Sequence, residues 1–163
     1  MQYAVWLDGV ILDVYTSEAL YSIYKGDSVP VPLSIEVHHD WPEFYSKLKG
    51  RGDLFILSPY PKEVTENVIA KIGLDESYVY NENKTKPSKE PMEILFRKFS
   101  LDPLKLILIG SSPLDLLSVR FFDSRIKVAC VKRKEDCSRY SPFLQTKNLN
   151  EMYNSLKRLN YIL

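Results

Sequence analysis

Cysteine and histidine are scarce in this chain of 163 residues, which has two of each. Cys130 and Cys137 are too few for a disulfide-rich scaffold, and without other cysteines or histidines nearby they make no zinc-binding motif. The two histidines, His38 and His39, are adjacent, so in an extended segment their side chains point to opposite faces. We therefore expect neither a zinc site nor a catalytic pair of histidines.

Long hydrophobic segments and a strong excess of one charge are also missing. Asp8 and Asp13 interrupt the apolar N-terminal run and no basic region precedes it, so we expect neither a signal peptide nor a membrane span. The net charge of +1 gives no overall reason to bind nucleic acid. The basic stretch Lys132, Arg133 and Lys134 is interpreted as a solvated loop, with a patch for nucleic acid or an acidic partner as the alternative. We expect a cytoplasmic protein.

Apolar runs alternate with helical periodicities along the chain, a pattern typical of a parallel sheet with crossover helices. Five runs predict strands: YAVWL from Tyr3, DLFILS from Asp53, SYVYNE from Ser77, LKLILIG from Leu104 and RIKVACV from Arg125. The length suits one domain over residues 1–163. The predicted fold is a three-layer α/β domain, Rossmann-like, with a mainly parallel five-stranded sheet.

A segment at about residues 14–38 does not fit this alternation, and we interpret it as a flap inserted into the domain. SEALYSIYK predicts a short helix in it, and the alternation of Leu33, Ile35 and Val37 with polar residues predicts a half-exposed strand or hairpin. Three tyrosines of the flap are candidates either for a protein partner surface or for packing on the edge of the core: Tyr15, Tyr21 and Tyr24.

Two helix starts carry the pattern of a capping box. Asp40 precedes the helical segment WPEFYSKLK, and Glu43 is its third residue. Ser112, Pro113 and Asp115 supply an N-cap, a first-turn proline and an acid at the third helical position of SPLDLLSVRFF.

Candidate functional residues lie where the predicted strands end, because ligands of open parallel sheets bind beyond the carboxyl ends of the strands. These residues are Asp8, Ser58, Lys86 and the run Ser111 to Asp115. The stretches that hold them, WLDGV, LFILS, KP and ILIGSSPLD, resemble in this order the four motifs of the haloacid dehalogenase (HAD) superfamily of phosphohydrolases. The resemblance extends over nearly the whole chain and implies a HAD-like fold.

The first motif of that family is Asp-x-Asp, in which the first Asp attacks the phosphoryl group and the second acts as general acid and base. Here Asp8 matches the second Asp, and Trp6 stands in the place of the nucleophile. An indole has no lone pair suited to attack phosphorus, so this substitution removes the step.

The other motifs imply roles for Ser58, which would hydrogen-bond the phosphoryl oxygens, and for Lys86, which would neutralise nucleophile and phosphate. The fourth motif supplies magnesium ligands, and here Ser111 replaces its first acid while Asp115 matches its second. Because Mg²⁺ needs several hard oxygen ligands, we expect weak or no magnesium binding at Asp8 and Asp115.

Each of these residues also has a structural interpretation. Asp115 is explained as the acid of the capping box, Lys86 as an ion pair with Asp8 or Asp115, and Ser58 as a partner for a backbone group at the strand end.

Two functions therefore stay open. One is a degenerate, catalytically silent HAD-like domain without a cofactor, used as a binding or scaffold module. Such a module could keep an anion site formed by Ser58, Lys86 and the amides near Ser111 and Ser112. The other is a magnesium-dependent phosphohydrolase with weak or displaced chemistry.

Overall fold

The computed structural model describes all residues 1–163, and its centre is a parallel sheet in the order β3-β2-β1-β4-β5-β6. The strands are β1 Gln2–Trp6, β2 Asp53–Leu57, β3 Ser77–Val79, β4 Leu106–Gly110, β5 Lys127–Val131 and β6 Leu144–Thr146. Every neighbouring pair is parallel, with Ala4 opposite Phe55 on one side and opposite Leu108 on the other. The five predicted strands are confirmed.

The sixth strand, β6, was not predicted, so the expected number of five is wrong. β6 has three residues, and only Thr146 is fully buried. So short an edge strand has no periodicity to recognise, and it forms because β5 offers a free edge to pair with.

The chain has six α-helices, of which the first lies in the flap and the others flank the sheet as the outer two of the three predicted layers. They are α1 Ser17–Tyr24, α2 Trp41–Leu48, α3 Lys62–Lys71, α4 Glu90–Lys98, α5 Pro113–Phe122 and α6 Leu149–Arg158. Helices α2 and α6 pack together, as do α4 and α5. No helix combines the length and the apolar character needed to cross a membrane.

The order in which strands are added to the sheet reverses between β1 and β4: β2 and β3 lie on one side of β1, and β4, β5 and β6 lie on the other. Strands β1 and β4 are central, and Tyr3 to Trp6 as well as Leu106 to Ile109 are almost completely buried. Strands buried on both faces are continuous apolar runs, which explains why these two were clear in the sequence. A reversal of strand order opens a crevice at the carboxyl ends, where ligands bind in folds of this kind.

The flap contains the predicted helix, α1, but not the predicted strand. Between α1 and α2 the chain is extended without regular structure, and Val37 makes a single antiparallel bridge to Leu12. Leu33 is 46% exposed, so the alternating side chains do not cover a buried sheet face. The interpretation of Leu33, Ile35 and Val37 as a strand is therefore wrong, because this segment joins no strand of the sheet. Of the flap tyrosines, Tyr21 and Tyr24 are exposed.

Asp40 does not cap α2, so the predicted capping box with Glu43 is wrong. Both carboxylate oxygens of Asp40 accept hydrogen bonds from Arg133, at 2.8 and 2.9 Å, and one also accepts from the Leu149 amide at 3.0 Å. A long-range arginine thus replaces the local cap. Burial raises the pKa of Asp40, but the bonds from Arg133 and Leu149 outweigh it and hold the pKa below its usual value.

Arg133 also binds the turn that follows β1. Its guanidinium donates to the carbonyl oxygens of Gly9 at 3.2 Å and Val10 at 2.9 Å, and its side chain is 6% exposed. The interpretation of Lys132, Arg133 and Lys134 as one solvated stretch is therefore wrong for Arg133. The two lysines beside it are exposed.

Cys130 of β5 and Cys137 form a disulfide that closes the loop carrying Arg133. Both residues are buried. This pairing was not predicted from the sequence, because a bridge depends on the distance between two Cα atoms rather than on spacing along the chain. Disulfides persist mainly in oxidising compartments, so this bridge gives no support to a cytoplasmic location. The location stays a prediction.

Asp40→Ala is expected to lower the free energy of unfolding by about 3 kcal/mol at neutral pH, because it leaves the buried guanidinium of Arg133 without its counter-charge. A carboxyl whose pKa is lowered by folding stabilises the protein above its unfolded pKa and loses this effect as the pH falls through the folded value. The difference from the wild type should therefore shrink in acid. Urea unfolding at several pH values measures it.

Glu43→Ala is the matched control, because Glu43 is the other acid of the predicted capping box. It pairs only with exposed Lys47 at 3.2 Å, so its loss should cost at most about 0.5 kcal/mol. Equal losses in both variants would contradict the assignment of Asp40 to Arg133.

Candidate functional site

The residues expected at the strand ends do meet at one place, at the carboxyl edge of the sheet. Each of them is at most 5% exposed: Asp8, Ser58, Lys86, Ser111, Ser112 and Asp115. The position follows from the topology, because β1 and β4 are neighbours where the strand order reverses.

Lys86 is the centre of this cluster. Its Nζ lies 2.8 Å from Asp8 Oδ2 and 2.6 Å from Asp115 Oδ1. The side chain is 1% exposed, so the ammonium has exchanged water for two carboxylates. The structural interpretation of Lys86 as an ion pair is confirmed, with both acids at once.

Trp6 covers the same ammonium from the sheet side. Its side chain is completely buried, and Lys86 Nζ lies 4.2 Å from the centroid of its ring. A cation over an indole face is attracted by the ring quadrupole, more strongly where water is excluded. Trp6 therefore occupies the interior beside Lys86 and does not stack outward.

Asp115 uses its second oxygen to bind the start of α5. Oδ2 accepts hydrogen bonds from the amides of Ser111 at 2.8 Å and Ser112 at 3.1 Å. The bond from the Ser112 amide is the one that a capping acid makes, so this role of Asp115 is confirmed. The two amides that might have held an anion at this helix start already bind a carboxylate.

Asp8 is held by a residue that the sequence analysis did not single out. Thr16 Oγ1 donates to Asp8 Oδ2 at 2.5 Å, while Asp8 Oδ1 is buried without a hydrogen-bond partner. The next residue, Gly9, adopts a φ of 81°, and a Cβ there would collide with Ser111 Oγ. The positive φ is what favours glycine here, because the contact with Ser111 involves a hydroxyl that can rotate away.

Ser58 is engaged by its own neighbours. Its Oγ lies 2.7 Å from Thr65 Oγ1 and accepts a hydrogen bond from the Tyr60 amide at 3.1 Å. The expectation that Ser58 satisfies a backbone group at the strand end is confirmed.

Thr16 and Thr65 were missed from the sequence, and Arg133 was noted only as part of a basic stretch. Thr16 precedes α1 and would be taken for its N-cap, but it makes no capping bond and turns to Asp8 instead. Thr65 lies inside α3, where a threonine carries no signal of function. No local pattern could have found these contacts.

The cluster of Asp8, Lys86 and Asp115 contains two carboxylates and one ammonium. Burial raises the pKa of Asp115 above its usual value and nearby Asp8 adds to the rise, although Lys86 opposes it. Burial alone would lower the pKa of Lys86, but the two carboxylates outweigh it and the pKa rises. Lys86 therefore stays charged at neutral pH.

Magnesium, which the resemblance implies, does not fit these residues. Of the four carboxylate oxygens of Asp8 and Asp115, three bind Lys86, Thr16 or backbone amides. Only Asp8 Oδ1 has no partner. Mg²⁺ requires near-octahedral coordination by oxygen, and one free carboxylate oxygen beside an ammonium does not supply it.

Lys86→Met is expected to lower the free energy of unfolding by about 3 to 5 kcal/mol at neutral pH, because two buried carboxylates lose their counter-charge. The loss should be smaller in acid, since protonated carboxyl groups need no cation. Chemical denaturation at several pH values measures both effects.

The triple variant Lys86→Met, Asp8→Asn, Asp115→Asn is the control, because it removes all three charges together. It should recover much of the stability that Lys86→Met loses. A triple variant less stable than Lys86→Met would contradict the assignment of Lys86 as the shared counter-ion.

No protein-family model matches this sequence, and no protein of curated function matches it. Several solved structures, however, match the fold of this chain. YfnB from Bacillus subtilis, assigned as a HAD-hydrolase and bound to magnesium, superposes with a TM-score of 0.76 at 13% identity, over 95% of this chain and 97% of that chain.

Two further structures give the same result. A haloacid dehalogenase-like hydrolase, SP0104 from Streptococcus pneumoniae, has a TM-score of 0.73 at 12% identity, over 95% of this chain and 97% of that chain. A HAD-superfamily hydrolase of subfamily IA from Geobacter sulfurreducens has a TM-score of 0.68 at 16% identity, over 95% and 98%. At such identities the likeness concerns architecture and not chemistry. With the strand order and the clustered motif positions, it identifies this chain as having the fold of the haloacid dehalogenase superfamily.

Proposed function

We propose that this HAD-like domain does not hydrolyse phosphate esters and acts as a binding or scaffold module. One observation carries the proposal: Trp6, which the resemblance aligns with the nucleophile, is completely buried, with the Lys86 ammonium 4.2 Å from its ring centroid. Covalent phosphoryl transfer needs an oxygen, sulfur or nitrogen lone pair aimed at phosphorus, and the indole ring presents none.

The hydrogen bonds and ion pairs of the remaining motif residues support the same proposal. Lys86 is bound by two carboxylates, Asp115 by two amides, and Ser58 by Thr65 and the Tyr60 amide. A substrate phosphate would have to break these contacts in a buried place, where each lost partner leaves a desolvated polar group.

We do not extend the proposal to the anion site expected from the sequence at Ser58, Lys86, Ser111 and Ser112. The two carboxylates and single ammonium of the cluster leave an excess of negative charge when all are ionised, which repels an anion. The amides of Ser111 and Ser112 already donate to Asp115.

The alternative of a phosphohydrolase with displaced chemistry has one feature in its favour. Asp8 Oδ1 is a buried carboxylate oxygen without a partner, and such an oxygen could accept a proton. An activity assay on Asp8 therefore separates the two functions.

Wild-type protein with para-nitrophenyl phosphate and magnesium is expected to release nitrophenolate no faster than the buffer does. Asp8→Asn should give the same rate, because no step depends on this carboxylate. Turnover by the wild type that disappears in Asp8→Asn would contradict the proposal. An active phosphatase in the same assay serves as the positive control.

Trp6→Asp with Ser111→Asp is expected to gain magnesium binding, because it restores the two carboxylates whose places Trp6 and Ser111 occupy. Titration calorimetry with MgCl₂ measures the gain. The uncharged pair Trp6→Asn with Ser111→Asn should not gain it.

If circular dichroism shows that the charged double variant is unfolded, Ser111→Asp alone is titrated, since it leaves the buried indole in place. Weaker but measurable magnesium binding is then expected. Magnesium binding absent from every folded carboxylate variant would count against the assignment of Trp6 and Ser111 to the lost motif positions.

A further inference from the structure

A cleft of about 420 Å³ lies between the flap and the loop of residues 81–89. We call it the flap cleft. One wall is apolar and comes from α1, the chain after it and the end of α5: Leu20, Ile23, Tyr24, Val31 and Phe121. The opposite side is the polar loop 81–89, with buried Lys86 at its base. The volume falls within the range of small-molecule sites.

The apolar wall is open to solvent. Ile23, Tyr24 and Phe121 are 38%, 55% and 55% exposed, although they lie close enough to line one cleft. Single exposed apolar residues are ordinary, but several around a concavity form a surface that gains free energy when an apolar group covers it. The wall therefore favours a ligand with an apolar body.

The charged side chains that line the cleft are all positive. Lys84 and Lys89 are exposed there and form no ion pair, and no aspartate or glutamate belongs to the lining. Lys86 is different, because Asp8 and Asp115 neutralise it. The free positive charge is thus at Lys84 and Lys89, away from the degenerate motif positions.

Two polar atoms of the same loop also lack partners. Asn81 Oδ1 and Thr85 Oγ1 are buried and make no hydrogen bond within the chain. Neither atom has surface open to solvent, so a ligand in the cleft does not reach them in this conformation of the loop. The features of the cleft that a ligand meets are therefore its apolar wall and its unpaired cations.

We propose that the flap cleft binds a small amphipathic anion without converting it. The apolar body lies against Ile23, Tyr24 and Phe121, and the acid group is held by Lys84 and Lys89. The inference rests on the proposed function as a binding module, and it names the class of ligand that such a module takes.

Anilinonaphthalene sulfonate, an aromatic anion of suitable size, is the probe, and phenylnaphthylamine is its nearly isosteric neutral analogue. The wild type is expected to bind the sulfonate at one saturable site, more tightly than the neutral compound. Fluorescence titration gives the affinities, and calorimetry gives the stoichiometry.

Lys84→Gln with Lys89→Gln should weaken binding of the sulfonate about tenfold and leave the neutral compound unchanged, because two exposed charge contacts are lost. Lys71→Gln with Lys105→Gln removes the same charge from exposed positions outside the cleft and should change neither affinity.

Ile23→Ser with Phe121→Ser should weaken both compounds, whereas Leu104→Ser, at a residue 59% exposed outside the cleft, should weaken neither. All substituted side chains are exposed, so the variants should unfold near the wild-type temperature. Absence of saturable sulfonate binding by the wild type overturns the inference, and so do equal losses in cleft and control variants. These results are independent of the phosphatase assay, which tests the proposed function by itself.

Discussion

The ammonium of Lys86 between Asp8 and Asp115 is the contact on which this end of the molecule depends. It joins the turn after β1, the loop before α4 and the start of α5, at the point where the strand order reverses. At such a point the segments that leave neighbouring strands run in opposite directions, and here side chains join them. A buried charge cluster is costly to desolvate, and it is stable only while all its members are present.

Neither Trp6 nor Ser111 adds negative charge to this cluster, which has a single ammonium. Two more carboxylates at their positions would add negative charge that one ammonium could not balance, and a metal ion would then be required. With an indole and a hydroxyl instead, Lys86 suffices as the cation, and the indole face lies against it. The absence of a carboxylate at Trp6 and at Ser111 therefore has one electrostatic consequence, at the carboxyl ends of the neighbouring strands β1 and β4.

The arginine and the disulfide on the β5 side serve a related purpose. Arg133 binds Asp40 and the carbonyl oxygens of Gly9 and Val10, so it holds the turn that carries Asp8. The bridge from Cys130 to Cys137 closes the loop from which Arg133 extends. The turn after β1 is thus fixed from both sides, by Lys86 and by Arg133, while the flap cleft next to it stays open.

The fold class, five of the six strands and the candidate residues at their ends could be predicted from the sequence, because strand and helix periods are local and the carboxyl ends of parallel strands share one edge. The sequence also predicted that Trp6 stands in the place of a nucleophile, since an apolar strand ending in Asp8 and Gly9 resembles the first motif of the family. Only the tertiary structure decided that Asp40 binds Arg133 at a separation of 93 residues rather than capping its own helix. In the same way it decided that Lys86 reaches Asp115, 29 residues away, and that β6 exists. The physical reason is that buried polar groups take whichever partners the packed chain brings within reach, and local sequence does not encode that distance.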